Sequence, residues 1–176
     1  MLIVFTGNGK GKTTAALGQA VRALGQGKRV LMIQFIKSAV SGEHKFFDKF
    51  QSAGWRKKFQ IIPAGKGFVK ILGDKLPFKE HKKAAHRALE LAAKEIKSGK
   101  YDLIILDEIN VAADLKLIKA ADVLEIFKNT STETDIILTG RGAPKSFIKA
   151  ADLVTEMKEI KHPFKKGKLA QKGIEF

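Results

Sequence analysis

The chain has 176 residues, 44% of them hydrophobic, and carries a formal net charge of +15 from 33 Lys+Arg and 18 Asp+Glu; this size and composition predict a single globular domain over residues 1–176. Cysteine is absent, which excludes disulfides, thiolate catalysis and Cys-ligated zinc and agrees with a reducing compartment. No apolar run approaches the ~20 residues of a membrane span, and the N-terminus does not resemble a signal peptide, so we expect a cytoplasmic protein without membrane contact.

The first predicted elements are a short strand, a glycine-rich loop and a helix. The apolar residues 1–6 lead into Gly-Asn-Gly-Lys-Gly-Lys-Thr-Thr, and apolar side chains at helical spacing follow over residues 13–24. This order is typical of a phosphate-binding loop, in which glycines turn backbone N–H groups toward an anion and the helix N-terminus adds positive potential. The residues predicted to bind a nucleotide triphosphate are Gly7, Asn8, Gly9, Lys10, Gly11, Lys12, Thr13 and Thr14.

Two side chains of this loop have specific expected roles. Lys12 is predicted to supply the cation for the phosphates, and Thr13 to place its hydroxyl on magnesium. The usual pattern G-x-x-x-x-G-K-S/T requires glycine at position 6, where this chain has Thr6, so the loop is one residue short. The alternative is a turn rich in glycine and lysine that binds nothing; the flanking strand and helix patterns favour the nucleotide.

The following segments predict a parallel α/β sheet. Residues 29–35 are expected to form a buried strand, and strand, helix, strand at this spacing implies a right-handed parallel crossover with the site at the carboxyl ends of the strands. The further predictions are a short helix over 44–50 whose phenylalanines pack on the sheet, an edge strand over 58–63 ending at Pro63, a binding loop or lid over 64–77, and a long helix over 79–97 whose His81 and His86 face solvent.

A second strong signal lies in the middle of the chain. An apolar run over residues 103–106 is followed by Asp107 and Glu108. Carboxylates at the end of a buried strand are where a phosphate-loop protein holds magnesium. A strand that ends in acids is common by itself, but together with the loop at residues 7–14 it predicts a site for a nucleotide and magnesium.

The last third of the chain continues the same alternation. Helices are predicted over 113–118 and 121–129, a strand over 135–139, a helix over 145–151 and a final strand over 151–157. Glycines flank Arg141 at the end of a strand, which predicts a turn that aims this side chain at the ligand; a solvated arginine in a tight turn is the alternative. The predicted fold class is α/β, with three layers and a mostly parallel sheet between helices.

The positive charge favours polyanionic ligands, which include nucleotides, nucleic acids and molecules rich in carboxylates or phosphates. A general enrichment in lysine would produce the same charge. The basic tail over 161–176 motivates a rival hypothesis, a nucleic-acid-dependent ATPase of the P-loop class with a basic surface, which predicts hydrolysis stimulated by DNA or RNA and sensitive to salt. No recognition module for nucleic acid is found, so nucleic acid is not an expected partner.

Together these residues resemble the corrinoid adenosyltransferases of the phosphate-loop type. The similarity runs in family order over nearly the whole chain, and the shortened loop is itself a family trait. The matching stretches are residues 6–14, 34–37, 42–43, 67–68, 106–108, 139–142, 161–162, 170–171 and 173–174.

The resemblance implies transfer of the 5′-deoxyadenosyl group of ATP to the Co(I) of a reduced corrinoid, with triphosphate as leaving group. Cob(I)alamin and cob(I)yrinic acid a,c-diamide are the implied substrates, in cobalamin biosynthesis or salvage. It further implies a recombinase-like P-loop fold, ATP with magnesium or manganese, a homodimer, and a flavoprotein as candidate reductant.

The resemblance also assigns roles to individual residues. The implied catalytic residues are Lys12, Thr13, Glu108 and Arg141, and the implied magnesium ligands are Thr13, Asp107 and Glu108. Arg22 is a further candidate for stabilising charge near the nucleotide.

Phe68 matches a family aromatic that faces the corrinoid and helps to remove its lower axial base, which makes reduction to Co(I) feasible. Family members commonly have a tryptophan two residues later, where this chain has Lys70; many also carry a helical extension before the first strand, with which the printed sequence starts. Lys70 suggests a third hypothesis, a binding protein that has lost catalysis. The intact loop and Asp107 and Glu108 argue against it, because they would have no evident use without MgATP.

Overall fold

The computed structural model describes residues 1–38, 40–49, 58–69, 73–128 and 133–174. Six strands form one sheet: β1 (Leu2–Thr6), β2 (Val30–Gln34), β3 (Phe59–Pro63), β4 (Leu103–Asp107), β5 (Asp135–Thr139) and β6 (Leu153–Glu156). Six helices accompany them, with a 3₁₀ turn at Pro163–Lys166: α1 (Lys12–Gly25), α2 (Gly42–Lys49), α3 (Phe78–Lys97), α4 (Ile109–Asp114), α5 (Ala120–Lys128) and α6 (Lys145–Ala150).

All neighbouring strands of the sheet are parallel, in the order β3-β2-β4-β5-β1-β6. The carboxyl ends of the strands therefore meet at one edge. β5 separates β1 from β4, so the loop after β1 and the carboxylates at the end of β4 lie one strand apart. β3 is an edge strand that ends at Pro63, as predicted.

The sheet is covered on both faces, which confirms the predicted three layers. Side chains alternate along β2: Val30 and Met32 pack in the cluster that contains α1, and Leu31 and Ile33 pack in the cluster that contains α3. Buried residues of α4, α5 and α6 lie in the second cluster as well. This alternation is the period of two of a strand with both faces buried. None of the described helices is long and apolar enough to cross a membrane.

The helix after β4 begins earlier than the predicted residue 113. Glu108 adopts a left-handed backbone conformation, with φ 60° and ψ 20°, and α4 starts at the next residue. The chain therefore turns sharply at the end of the strand, and it leaves the helix again at Leu115. A turn of this kind in a residue other than glycine has no clear sequence signal.

The prediction that His81 faces solvent was wrong. Its side chain is buried, with 3% of the residue exposed, and its Nε2 lies 3.0 Å from Oδ2 of Asp74. His81 precedes Ala85 by one helical turn and so lies on the buried face of α3. His86 is half-buried. Phe50 and Lys70, which the sequence analysis singled out, lie outside the described residues.

Candidate functional site

The loop between β1 and α1 is closely packed against the chain that follows β6. Gly7 has φ 97°, and a Cβ atom built on it would lie 2.4 Å from the carbonyl oxygen of Met157. The backbone N–H of Gly9 donates to the same oxygen at 2.7 Å. Gly11 caps α1 with φ 117°. Side chains at the first of these positions would be excluded by both conformation and space.

Lys12 lies inside the curve of this loop. Its Nζ donates to the carbonyl oxygens of Gly7 at 2.8 Å and Gly9 at 2.6 Å, and only 6% of the residue is exposed. Burial lowers the pKa of Lys12, and the negative charge of Glu108 opposes that change. The loop thus holds a desolvated cation next to the backbone N–H groups at the start of α1, where an anion is favoured.

Asp107 is the buried centre of the site. One carboxylate oxygen, Oδ1, accepts hydrogen bonds from the hydroxyls of Thr13 at 2.8 Å and Thr139 at 2.7 Å. Burial raises the pKa of Asp107, although these hydrogen bonds act in the opposite direction. The structure therefore brings together the residues predicted at the end of α1's first turn and at the end of β4, and adds Thr139 from β5, which the sequence analysis did not assign a role.

Glu108 extends the acidic end of β4. Burial, followed by the charge of Asp107, raises its pKa to about 7, while Lys12 and Arg141 act to lower it. Its backbone N–H donates to Oγ1 of Thr139 at 3.0 Å. A Cβ on Gly140 would lie 3.0 Å from Oε2 of Glu108, so the glycine after β5 leaves the room that this carboxylate occupies.

The donor set suits a magnesium ion. Asp107 and Glu108 are adjacent carboxylates removed from water, and the hydroxyl of Thr13 contacts the first of them. A divalent cation would relieve the repulsion that raises both pKa values. No group of three or more His, Asp or Glu side chains comes together within the described ranges, and magnesium commonly completes its coordination with substrate phosphates and water.

A polar network on β2 adjoins Asp107. Gln34 ends the strand and pairs in register with Asp107, and its Nε2 lies 3.3 Å from both Oδ2 of Asp107 and Oε1 of Glu43. Nζ of Lys37 donates to the same oxygen of Glu43 at 2.6 Å. Burial would raise the pKa of Glu43, but hydrogen bonds from Lys37 and Ser41 outweigh it and lower the pKa to about 2. The signal for this network was a polar residue ending an otherwise apolar strand.

The two predicted arginines lie in different places. Arg141 is exposed and lines a cavity of about 540 Å³ beside Asn8. Its charge contributes to the lowered pKa of Lys12, so it acts on the loop. Arg22 is exposed in the last turn of α1, ten residues after Lys12 and therefore ~15 Å along the helix axis. The structure does not bring Arg22 to the phosphate loop.

Phe68 follows β3 at the same edge of the sheet, with 57% of the residue exposed. The backbone on either side of it is anchored on Ile36. A Cβ on Gly65 would lie 2.2 Å from the Ile36 carbonyl carbon, and the N–H of Gly67 donates to the Ile36 oxygen at 2.8 Å. The segment thus presents an aromatic ring to solvent from a fixed backbone.

Comparisons with known proteins agree with this site. The whole chain, residues 1–176, matches the family described as ATP:corrinoid adenosyltransferase BtuR/CobO/CobP. Proteins named corrinoid adenosyltransferase from Pseudomonas aeruginosa, Sinorhizobium sp and Escherichia coli K12 are 38%, 37% and 32% identical over 100% of this chain and 83%, 80% and 85% of their own lengths. The solved flagellar accessory protein FlaH from Methanocaldococcus jannaschii has a TM-score of 0.58 at 14% identity over 88% of this chain and 69% of FlaH, a similarity of fold alone. The chain therefore belongs to the ATP:corrinoid adenosyltransferases, transferases that use ATP as the adenosyl donor to a corrinoid.

Proposed function

We propose that this protein transfers the 5′-deoxyadenosyl group of ATP to the Co(I) of a reduced corrinoid and releases inorganic triphosphate, in cobalamin biosynthesis or salvage. The electron pair of Co(I) forms the bond to C5′ of the ribose. The C5′–O5′ bond breaks, and its electron pair leaves on the triphosphate. The observation that carries the proposal is the short phosphate loop with Lys12 inside it and the Thr13–Asp107 contact beside it.

Stabilising the leaving group is the main demand of this reaction. The triphosphate gains negative charge as the C5′–O5′ bond breaks, so fixed positive groups beside it lower the barrier. Lys12 is already withdrawn from water, where its charge acts more strongly than in solvent. Arg141, at the exposed side of the loop, is the second cation proposed to act on the triphosphate.

Thr13, Asp107 and Glu108 would hold the magnesium ion, for which manganese is a substitute. When bound, the ion supplies charge neutralisation for the triphosphate. The chain's contribution is to fix Asp107 through the hydroxyls of Thr13 and Thr139 before the ion arrives. Fixed ligands reduce the reorganisation that binding requires.

Acid or base catalysis is not needed, because Co(I) is itself a strong nucleophile and the leaving group departs as an anion. Orientation of C5′ toward the cobalt is then the remaining requirement. Phe68 is proposed to face the corrinoid and to displace its lower axial base; its exposure on an anchored backbone supports this role. Arg22 is left out of the proposed site because of its distance from the loop.

Two further assignments come from the resemblance and stay predictions: a homodimer and a flavoprotein reductant in the cytoplasm. The net charge of +15 supports an acidic reductant. High salt should then slow the reaction coupled to the flavoprotein and leave the rate with chemically reduced corrinoid unchanged. Equal slowing of both reactions would contradict electrostatic docking.

The experiment that tests the reaction is anaerobic incubation with MgATP and chemically reduced cob(I)alamin or cob(I)yrinic acid a,c-diamide. We expect a light-sensitive adenosylcorrinoid spectrum and one triphosphate for each product formed, both abolished by chelating the magnesium. Absence of product with either corrinoid, together with phosphate release on adding nucleic acid, would instead support the rival ATPase hypothesis.

A further inference from the structure

Gln34 touches the carboxylate at the centre of the site from the opposite side to the two threonines. Oδ1 of Asp107 accepts from Thr13 and Thr139, whereas Oδ2 lies 3.3 Å from Nε2 of Gln34. Gln34 is fully buried and pairs with Asp107 in the register of β2 and β4. Both oxygens of Asp107 are therefore held, each by a different strand or helix.

The orientation of the Gln34 amide is determined by its neighbours. Its nitrogen faces two carboxylates, those of Asp107 and Glu43, and ionised carboxylates only accept hydrogen bonds. Glu43 is in turn fixed by Nζ of Lys37 at 2.6 Å. The reversed amide would place an oxygen against both carboxylates, so the nitrogen must remain on this side.

The same orientation leaves Oε1 of Gln34 buried without a hydrogen-bond partner among the described residues. A buried acceptor of this kind is uncommon and calls for a donor from water or a ligand. Magnesium retains several water molecules when it binds to proteins. A hydrated cation at Asp107 would bring such donors to the side chain that already contacts the carboxylate.

We propose that Gln34 is a positioning residue for Asp107: its Nε2 fixes Oδ2, Lys37 and Glu43 fix the amide, and its Oε1 accepts a hydrogen bond from a water molecule that arrives with the cation. This inference rests on the proposed function, because it assumes a cation at Asp107. Glutamine suits the role since an amide donates to both carboxylates without adding negative charge beside them. The Lys37–Glu43 pair adds no net charge either.

The test compares ATP binding with magnesium and with a chelator, in Gln34→Met and wild-type protein without corrinoid. Methionine keeps most of the buried volume but removes both polar ends. We expect ATP affinity in chelator to stay the same, and the strengthening of ATP binding by magnesium to fall about 10- to 100-fold, the range typical for partners of metal ligands. In the adenosylation assay, KM for the reduced corrinoid should not change.

Further variants keep the test decisive if Gln34→Met folds poorly. Lys37→Met breaks the network from its partly exposed end and should reduce the magnesium effect in the same direction. Glu43→Gln retains an oxygen that accepts from Gln34 and should keep the magnesium effect within about threefold of wild type, whereas Glu43→Met should lose it. Lys45→Met, on the exposed surface of α2, is the matched control.

A folded Gln34→Met or Lys37→Met protein whose ATP affinity responds to magnesium as in wild type would overturn the positioning role. A lower thermal midpoint alone would indicate a residue that only stabilises the core. Failure of the proposed function has a different signature, since the wild-type protein itself would then form no adenosylcorrinoid in the presence of MgATP and reduced corrinoid.

Discussion

The phosphate loop and segment 64–69 both follow a strand at the same edge of the sheet, but they expose their key side chains to different degrees. Lys12 is 6% exposed and bonded to loop carbonyls, while Phe68 is 57% exposed above an anchored backbone. In the first region the functional groups are fixed by buried polar contacts. In the second only the backbone is fixed, so the side chain can be matched to a large ligand without affecting the core.

This comparison predicts the largest loss of activity at Lys12. Lys12→Met removes the desolvated cation beside the leaving group, and we expect adenosylcorrinoid formation to fall by about 10²–10³ in kcat, as for other electrostatic groups that act on a developing charge. Single-turnover kinetics with chemically reduced corrinoid measures the effect. Lys28→Met is the control, because Lys28 lies before β2 at the opposite edge and pairs with Asp135 at 3.8 Å. Comparable losses in both variants would contradict a specific role for Lys12.

Glycines on either side of Lys12 sharpen the comparison through stability. Gly7→Ala places a Cβ 2.4 Å from the Met157 oxygen at φ 97°, and we expect a loss of about 1–3 kcal/mol in the free energy of unfolding with weaker ATP binding. Gly18, within α1, has no heavy atom within 4 Å of its Cβ position. Gly18→Ala should therefore stabilise the protein by about 0.5–1 kcal/mol. Urea unfolding of the two variants tests these opposite signs.

At Phe68 the expected loss concerns the corrinoid alone. Phe68→Ala should lower kcat/KM for the corrinoid on the order of tenfold, the effect of removing roughly half an aromatic side chain from a ligand contact. Unfolding free energy and ATP affinity should stay close to wild type. Phe46→Ala provides a control at an aromatic residue that is 52% exposed on α2. If Phe68→Ala weakened ATP binding instead, the proposed division of the two regions would be wrong.

The smallest expected effect concerns pH and Glu43, which belongs to the network beside the phosphate site. Its pKa of about 2 lies below the ordinary value of 4.5, so the ionised carboxylate stabilises the folded state above pH ~4.5 and this contribution is lost as the pH falls toward 2. Allowing for solvent, we expect Glu43→Gln to cost about 1–2 kcal/mol at pH 7 and less than half of that at pH 3. Urea titrations at both pH values measure the difference; a constant difference would contradict the prediction.

Much of the nucleotide side was predictable from the sequence because it consists of local patterns. The loop, the apolar strands and the acidic end of β4 each lie within a short stretch, and parallel connections bring the strand ends together. The contact of Thr13 with Asp107 follows from that arrangement.

Features that depend on distant contacts were not predictable in this way. Gln34 and Thr139 act through neighbours on other strands, and nothing local distinguishes them from other polar residues at strand ends. His81 was taken for a surface residue because its partner, Asp74, lies in the preceding loop, whose folding back onto α3 has no local signal. The spacing of four residues from His81 to Ala85 did contain the correct information.

The central position of β1 also affects the order in which the protein can fold. Leu2 pairs with Ile136 and Ile3 with Leu153, so both neighbours of β1 come from the last part of the chain. During synthesis this strand leaves the ribosome first, yet it gains its partners only when β5 and β6 have emerged. Such pairings over long stretches of sequence slow folding. We therefore expect nascent and truncated chains to be unable to sequester ATP, so that the segment translated first is the last to become functional.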